Sequence, residues 1–146
     1  MKISTRARYG ARLMVNLGLN YSSGPVFLKD ISEQEQISLK YLSQIIIPLK
    51  AAGLVNSFRG AHGGYALAKH PSEITMKNIV EVMEGNFNLA DCLKDASECH
   101  RTSICVTRDV WNALELKMAQ TLDEIKLDDL VKQCIEKKEK AVMYTI

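Results

Sequence analysis

The 146-residue sequence has no apolar run approaching the roughly 18 residues that a membrane-spanning helix needs, so no span is expected. Its first residues, MKISTRARYGARLMV, contain no apolar stretch ending in a small-residue cleavage site, so no signal peptide is expected. Internal repeats and low-complexity tracts are absent. So are a C-x-x-C redox motif and any acid–base pair, which argues against a thiol enzyme and leaves a non-enzymatic role. No acidic residue precedes Asp30.

What remains is 47% hydrophobic and 25% charged, the composition of a globular chain with a real core. The length suits one domain, or one small domain with an appendage. Charge is divided unevenly. Residues 1–71 hold nine Lys/Arg against Asp30, Glu33 and Glu35, a surplus of +6, whereas the remainder holds ten bases against fourteen acids, a balance of −4. A basic half beside an acidic half suggests that the first meets a polyanion and the second does something else.

Ala7, Gly10, Ala11, Met14 and Leu17 recur at helical spacing behind a Ser4 or Thr5 cap, and SSGP at 22–25 ends that helix. A short helix over 28–36 follows, with Leu28 and Ile31 facing inward. Ser38 then caps a third helix whose buried face is Leu39, Leu42, Ile45, Ile46 and Leu49, with Gly53 as its stop. Pro48 lacks an N–H, so a kink or a tightened last turn is expected there. Two helices joined by a tight turn make a helix-turn-helix. Leu54–Phe58 and Tyr65–Ala68 read as strands around RGAHGG, whose three glycines permit the positive backbone angles of a hairpin tip. Thr75 caps a fourth helix, and Ile74 with Ile79 fits a hydrophobic staple across that cap. Ser103 is expected to cap a long helix with the stripe Val106, Val110, Leu114, Met118, Leu122 and Ile125. An identical helix across a two-fold axis would cover that stripe, with Trp111 in the dimer core. A last helix over 127–140 packs back on the body. The fold class is mainly α with a small β-hairpin wing (α+β), a winged helix-turn-helix plus a long dimerisation helix. The ranges are 1–85 for the winged helix, 86–105 for a cysteine-rich loop and 104–146 for the dimerisation and final helices.

The second helix of a helix-turn-helix enters the major groove of double-stranded DNA. Ser38, Lys40, Ser43 and Gln44 face outward there; Gln44 can pair with adenine, and Lys40 can reach guanine or a phosphate. Arg59 at the hairpin tip, with Gly60, His62 and Tyr65 in the same hairpin, suits a narrow A·T-rich minor groove. Lys2, Arg6, Arg8, Tyr9 and Lys50 would touch phosphates, which position a protein without reading sequence.

Cys92, Cys99 and Cys105 have the spacing C-x6-C-x5-C on a polar stretch following Gly85. Thiolates hold iron–sulfur clusters, sometimes with one non-cysteine ligand. Cys105 falls near the start of the long helix, whose dipole favours thiolate over thiol. Zinc is an alternative, although structural zinc sites use tighter pairs such as C-x2-C. Cys134 beside Ile135 reads as packing.

The segments MKISTRARYGARLM, ISLKYLSQIIIPLKAAGLVNSFRGAHGGYALAK and ITMKNIVEVMEG, with the cysteine triplet and VTRDVW after it, resemble the IscR/NsrR/CymR superfamily of bacterial winged-helix transcription regulators. The resemblance implies a cytoplasmic homodimer with a swapped long helix on a palindromic operator. It also implies DNA affinity gated by an iron–sulfur cluster, 2Fe-2S in preference to 4Fe-4S. The triplet is similar to that of the cluster-bearing members, whereas CymR-like members lack it. Three positions depart from the pattern. Arg108 stands where IscR-type members carry a ligand histidine. No acid lies in the first helix to serve as the donor that NsrR-type members can borrow from a partner. Ser43 replaces a glutamate whose charge couples operator choice to cluster state. The fourth ligand therefore stays open among His100, a carboxylate (Asp91, Glu98 or Asp109), Cys134, a partner's side chain and an external thiol or water. The alternative is a cluster-free regulator whose thiols answer oxidants or a protein partner.

Overall fold

The computed structural model describes residues 2–145; Met1 and Ile146, the outer ends of the terminal ranges expected from sequence, lie outside the described residues. Local capping chemistry sets the first boundaries. Ser4 Oγ accepts from Ala7 N at 3.0 Å and starts α1, Thr5–Leu19. Helix α2 spans Leu28–Glu35, and α3 spans Leu39–Ala51 behind Ser38, whose Oγ accepts from Tyr41 N at 3.1 Å. Pro48 lies inside α3 without ending it, and the last turn tightens, Gly53 N donating to Lys50 O at 3.0 Å. Strands β1 (Val55–Phe58) and β2 (Gly64–Leu67) form one antiparallel hairpin, with Val55 opposite Leu67 and Phe58 opposite Gly64. Helices α4 (Met76–Glu84), α5 (Asp91–Lys94), α6 (Val106–Glu124) and α7 (Leu127–Tyr144) complete the chain, with 3-10 turns at Pro71–Glu73 and Ala96–Glu98. The fold is mainly helical with one hairpin wing, as the spacing predicts.

Helix α1 is the spine, touching α4, α7, α3 and α2. Its Ala7, Leu13, Met14 and Leu17 share one buried cluster with Leu42, Ile45, Ile46 and Leu49 of α3 and with Ile79 and Met83 of α4. Each fully buried Leu or Ile side chain contributes on the order of 1.5–3 kcal/mol by leaving water. Ile74 and Ile79 are both fully buried across the Thr75 cap, so the staple expected there forms. Thr75 Oγ1 accepts from Asn78 N at 3.1 Å while Thr75 N donates to Asn78 Oδ1 at 2.9 Å, satisfying two otherwise unpaired helix-start donors.

Two expectations change in the second half. Ser103 does not cap the long helix. The chain makes a turn first, Ile104 N donating to Arg101 O at 3.0 Å, so the helical run begins at Val106 with Cys105 as its cap residue. Ile125 is not part of the helical stripe either. It is extended, and its carbonyl accepts from Met76 N at 2.9 Å while Leu127 N donates to Ile74 O at 2.8 Å. These bonds anchor the joint between α6 and α7 to the start of α4. Helix α7 runs four residues beyond the expected end. Only Leu127 and Val131 are buried in it and Cys134 is half-buried, so its first half packs on α1 and the residues from Ile135 on are exposed.

No residue of α6 is buried within the chain. Val106, Val110, Trp111 and Leu116 are 77%, 57%, 44% and 61% exposed. Of the expected stripe only Val106 and Val110, at its start, are left open; Leu114, Met118 and Leu122 are half-buried by the chain itself, where α6 meets α4.

Candidate nucleic-acid interface and cysteine segment

The α2–α3 turn is tied at both ends by one residue. Ile37 N donates to Ser32 O at 3.2 Å, and Ser32 Oγ donates to Ile37 O at 2.6 Å. Ile37 itself is buried, so the turn is pinned to the core and α3 leaves it at a fixed angle. With Leu42, Ile45, Ile46 and Leu49 inward, the opposite face presents Lys40, Ser43, Gln44 and Ile47, all exposed; Leu39, expected on the buried face, is instead 44% exposed because the first turn of α3 projects beyond the core. Ser38 is also exposed, but its oxygen serves the cap. Ser43 Oγ donates to Leu39 O at 2.8 Å, which leaves its lone pairs as an acceptor for a base amino group.

Helix α1 brings its own basic residues to this face. Arg6 lines a small pocket of about 160 Å³ with Tyr41, Gln44 and Ile45, so a predicted phosphate contact and a predicted base contact share one recess. The Tyr9 ring meets Tyr41 edge-on with centroids 5.6 Å apart, joining the two helices. Arg8 donates to Thr5 Oγ1 at 3.3 Å and stays exposed. Arg12 is engaged instead by Glu35, at 3.1 Å from Nε to Oε2, and sits over the Tyr9 ring. Lys50 is exposed in the last turn of α3. Lys2 is placed apart from them, lining a groove of about 580 Å³ with Ile3, Glu84, Phe87 and Met118.

In the wing, Gly60 has φ of +98°, a left-handed angle that disfavours any residue with a Cβ. Gly63 N donates to Gly60 O at 3.0 Å and closes the tip. A Cβ on Gly63 would collide with the Phe58 carbonyl oxygen and lie 2.9 Å from Gly60 O, so only glycine fits. Arg59 and His62 are exposed at this tip. Tyr65 is not with them: it is half-buried against the core, and its N and O exchange 2.8 Å bonds with Val26. That exchange ties the wing to the segment preceding α2.

The cysteine segment is a folded connector rather than a plain loop. Asp95 Oδ1 accepts from Ser97 N at 2.9 Å and Ser97 Oγ at 2.7 Å, which holds the Asp95 carboxyl below its usual range. Thr102 Oγ1 donates to Ala96 O at 2.8 Å and also to Cys99 O. Arg108 Nε donates to Cys92 O at 3.2 Å. Cys92, Cys99, Cys105 and Cys134 are all unpaired and half-buried, and His100 is exposed. The Cys105 thiol lies 3.3 Å from Thr107 Oγ1. That hydroxyl first, then the Arg108 amide, and more weakly the Thr107 amide and the Arg101 charge, hold its pKa below the usual thiol range.

Three thiols suit an iron–sulfur cluster in donor chemistry. Their arrangement in this conformation does not: among the described residues no three His, Cys, Asp or Glu side chains are gathered so as to hold a metal. Nothing in this geometry selects His100, Asp91, Glu98 or Asp109 as a further ligand. Cys134 is on a separate face, in a groove of about 370 Å³ with Val15, Leu130 and Ala141.

Ile47 is the residue that spacing alone passes over. Successive helical residues are turned by about 100°, so Ile45, Ile46 and Ile47 cannot all face one core. The run IIIP contained that signal.

A tied helix-turn-helix with a polar outer face, followed by a glycine-tipped hairpin, defines a winged-helix DNA-binding protein. The Rrf2 family model, described as an iron-dependent transcriptional regulator, matches residues 3–133. The chain belongs to this family; it is a DNA-binding transcriptional regulator and not an enzyme. It is 36% identical to Protein rrf2 of Nitratidesulfovibrio vulgaris over 132 residues, 90% of this chain and 88% of that one. It is 38% identical to the HTH-type transcriptional regulator CymR of Bacillus subtilis, over 89% of each chain. The solved structure of CymR, titled the global cysteine regulator of B. subtilis, superposes with a TM-score of 0.78 at 36% identity, covering 91% of this chain and 98% of that one. T. potens IscR gives 0.76 at 36% identity, covering 92% and 88%. Among the described residues no helix is long and apolar enough to cross a membrane.

Proposed function

We propose that the chain is a cytoplasmic homodimer that binds a palindromic operator, with an affinity set by chemistry at Cys92, Cys99 and Cys105. The outward face of α3 carries this reading: Lys40, Ser43 and Gln44 are exposed on a helix that buries Leu42, Ile45, Ile46 and Leu49 on its opposite face. Gln44 reads adenine and Lys40 reads guanine or phosphate, while Ser43 accepts from an amino group. Arg59, with Gly60 and His62, enters the minor groove, and Arg6, Arg8, Tyr9 and Lys50 meet phosphates, while Lys2 lies apart from this face. Residues 1–85 form the reading unit, 86–105 the sensing segment and 104–146 the pairing element. The exposed Val106, Val110 and Trp111 in the first half of α6 support pairing, because an apolar patch there is covered most simply by a second copy of itself.

The finer form of the proposal is an iron–sulfur cluster held by the three thiolates, 2Fe-2S in preference to 4Fe-4S. Cysteine spacing and the iron-dependent description of the family support it. Among the described residues the thiols are not gathered into a metal site, so the proposal includes a rearrangement of the segment between α5 and α6 when it holds such a group. A second reading has a specific observation behind it. The Cys105 thiol, 3.3 Å from Thr107 Oγ1, is held below the usual thiol range by that hydroxyl, which favours the thiolate form that answers oxidants without a metal.

Anaerobic purification separates the two. A cluster predicts red-brown protein with near-stoichiometric iron and sulfide, lost in the Cys92→Ala/Cys99→Ala/Cys105→Ala triple variant. Colourless, iron-free protein whose DNA binding responds to dithiothreitol supports the thiol reading. Protein that binds no duplex in either form contradicts both.

A further inference from the structure

We infer that Ile47 is a specificity-determining residue that reads a thymine methyl group in the major groove. The inference rests on the DNA-contact role proposed for α3. Ile47 is 65% exposed, whereas Ile45, Ile46 and Leu49 beside it are 2%, 3% and 0% exposed. The core is complete without it. Helix stability does not explain it either, since a β-branched side chain loses rotamer freedom and forms helix less readily than Lys, Gln or Glu would at a solvent position.

Its place on the helix is informative. Lys40, Ser43, Gln44 and Ile47 stand at i, i+3, i+4 and i+7, one outward stripe. The Ser38 oxygen is occupied by the cap, and the Ser43 proton is donated to Leu39 O. Lys40, Gln44 and Ile47 are the side chains of this face left with free reach. Isoleucine offers nothing to a phosphate or to a polar base edge. The thymine C5-methyl is the apolar feature that the major groove presents. Three helical residues advance about 4.5 Å at 1.5 Å each, close to the roughly 3.4 Å rise of a base-pair step. Gln44 and Ile47 therefore address neighbouring base pairs, an adenine and a thymine within two steps of each other.

The test uses the full chain and duplexes enriched by it from a random pool. Each thymine of the enriched half-site is replaced singly by deoxyuridine, which removes the methyl and nothing else. One thymine per half-site, within two base pairs of the adenine to whose replacement Gln44→Ala is indifferent, should lose about fourfold in affinity, the effect of one buried methyl. Ile47→Ala should bind thymine and deoxyuridine duplexes equally, and its circular dichroism should match the parent because the side chain is outside the core. Equal affinity of the parent for every thymine and deoxyuridine pair overturns the inference and leaves the DNA-contact role intact. So does discrimination that survives in Ile47→Ala. Failure to enrich any duplex contradicts the DNA-contact role itself, and the inference falls with it.

Discussion

Arg108 Nε, in the first turn of α6, donates to the backbone carbonyl of Cys92 at 3.2 Å. The bond spans sixteen residues and fastens the short helix bearing the first cysteine to the start of the long one. A rearrangement that regathers the thiols must break this bond or carry α6 with it. The cysteine segment is thus mechanically joined to the helix proposed to pair two copies. Replacing Arg108 by Ala should remove the fastening, a loss of about 1–2 kcal/mol confined to the connector. Hydrogen exchange should show faster exchange over 91–105 with α1–α4 unchanged.

The Arg59 side chain makes no ion pair among the described residues, is exposed, and projects from a glycine tip. Arg59→Ala should weaken operator binding by about tenfold and lower the slope of log affinity against log salt by about one charge. Fluorescence anisotropy titrations at several salt concentrations measure both; an unchanged slope denies a backbone or minor-groove contact.

Gly63 has no room for a Cβ because backbone atoms of Phe58, Arg59 and Gly60 surround the position. Gly63→Ala should destabilise the wing by over about 1 kcal/mol and reduce DNA affinity, while leaving the oligomeric state as it was. Denaturant unfolding and sedimentation read these separately.

The Cys105 thiol owes its lowered pKa first to the Thr107 hydroxyl. A lowered pKa means more thiolate at neutral pH, so alkylation of Cys105 should be fast there and should slow as pH falls through that pKa. Thr107→Val should raise the pKa, moving the whole rate profile of iodoacetamide labelling to higher pH. Peptide-resolved mass spectrometry follows the site, and an unmoved profile would show that the hydroxyl is irrelevant.

Val110 is 57% exposed in the α6 stripe. Val110→Glu places a charge where two copies are proposed to meet and should convert dimer to monomer at micromolar concentration, measured by sedimentation velocity.

How much of this was legible in the sequence depended on the range of the interaction. Ser4, Ser38 and Thr75 declare themselves as caps because each acts on amides three residues away. Ser103 carried the same signal and failed, since the turn made by Arg101–Ile104 delays the helix to Val106. The cysteine spacing was visible, but whether three thiols meet depends on long-range folding and on a bound group, neither of which spacing encodes. Tyr65 looked like a DNA contact of the wing, yet its strand's exchange with Val26 draws it inward, a contact across some forty positions. Ile47 was hidden among core isoleucines. The α6 stripe was legible as apolar, but not that its Leu114, Met118 and Leu122 would be half-covered by the chain itself while Val106 and Val110 stay open.

The most direct measurement is anisotropy titration of one enriched duplex with anaerobic protein, before and after iron and sulfide are stripped, and again after mild oxidation. The account predicts a shift of at least about fivefold in at least one step for the parent, and no shift for the triple cysteine-to-alanine variant. An affinity that stays constant in the parent through every step would contradict the claim that Cys92, Cys99 and Cys105 govern DNA binding.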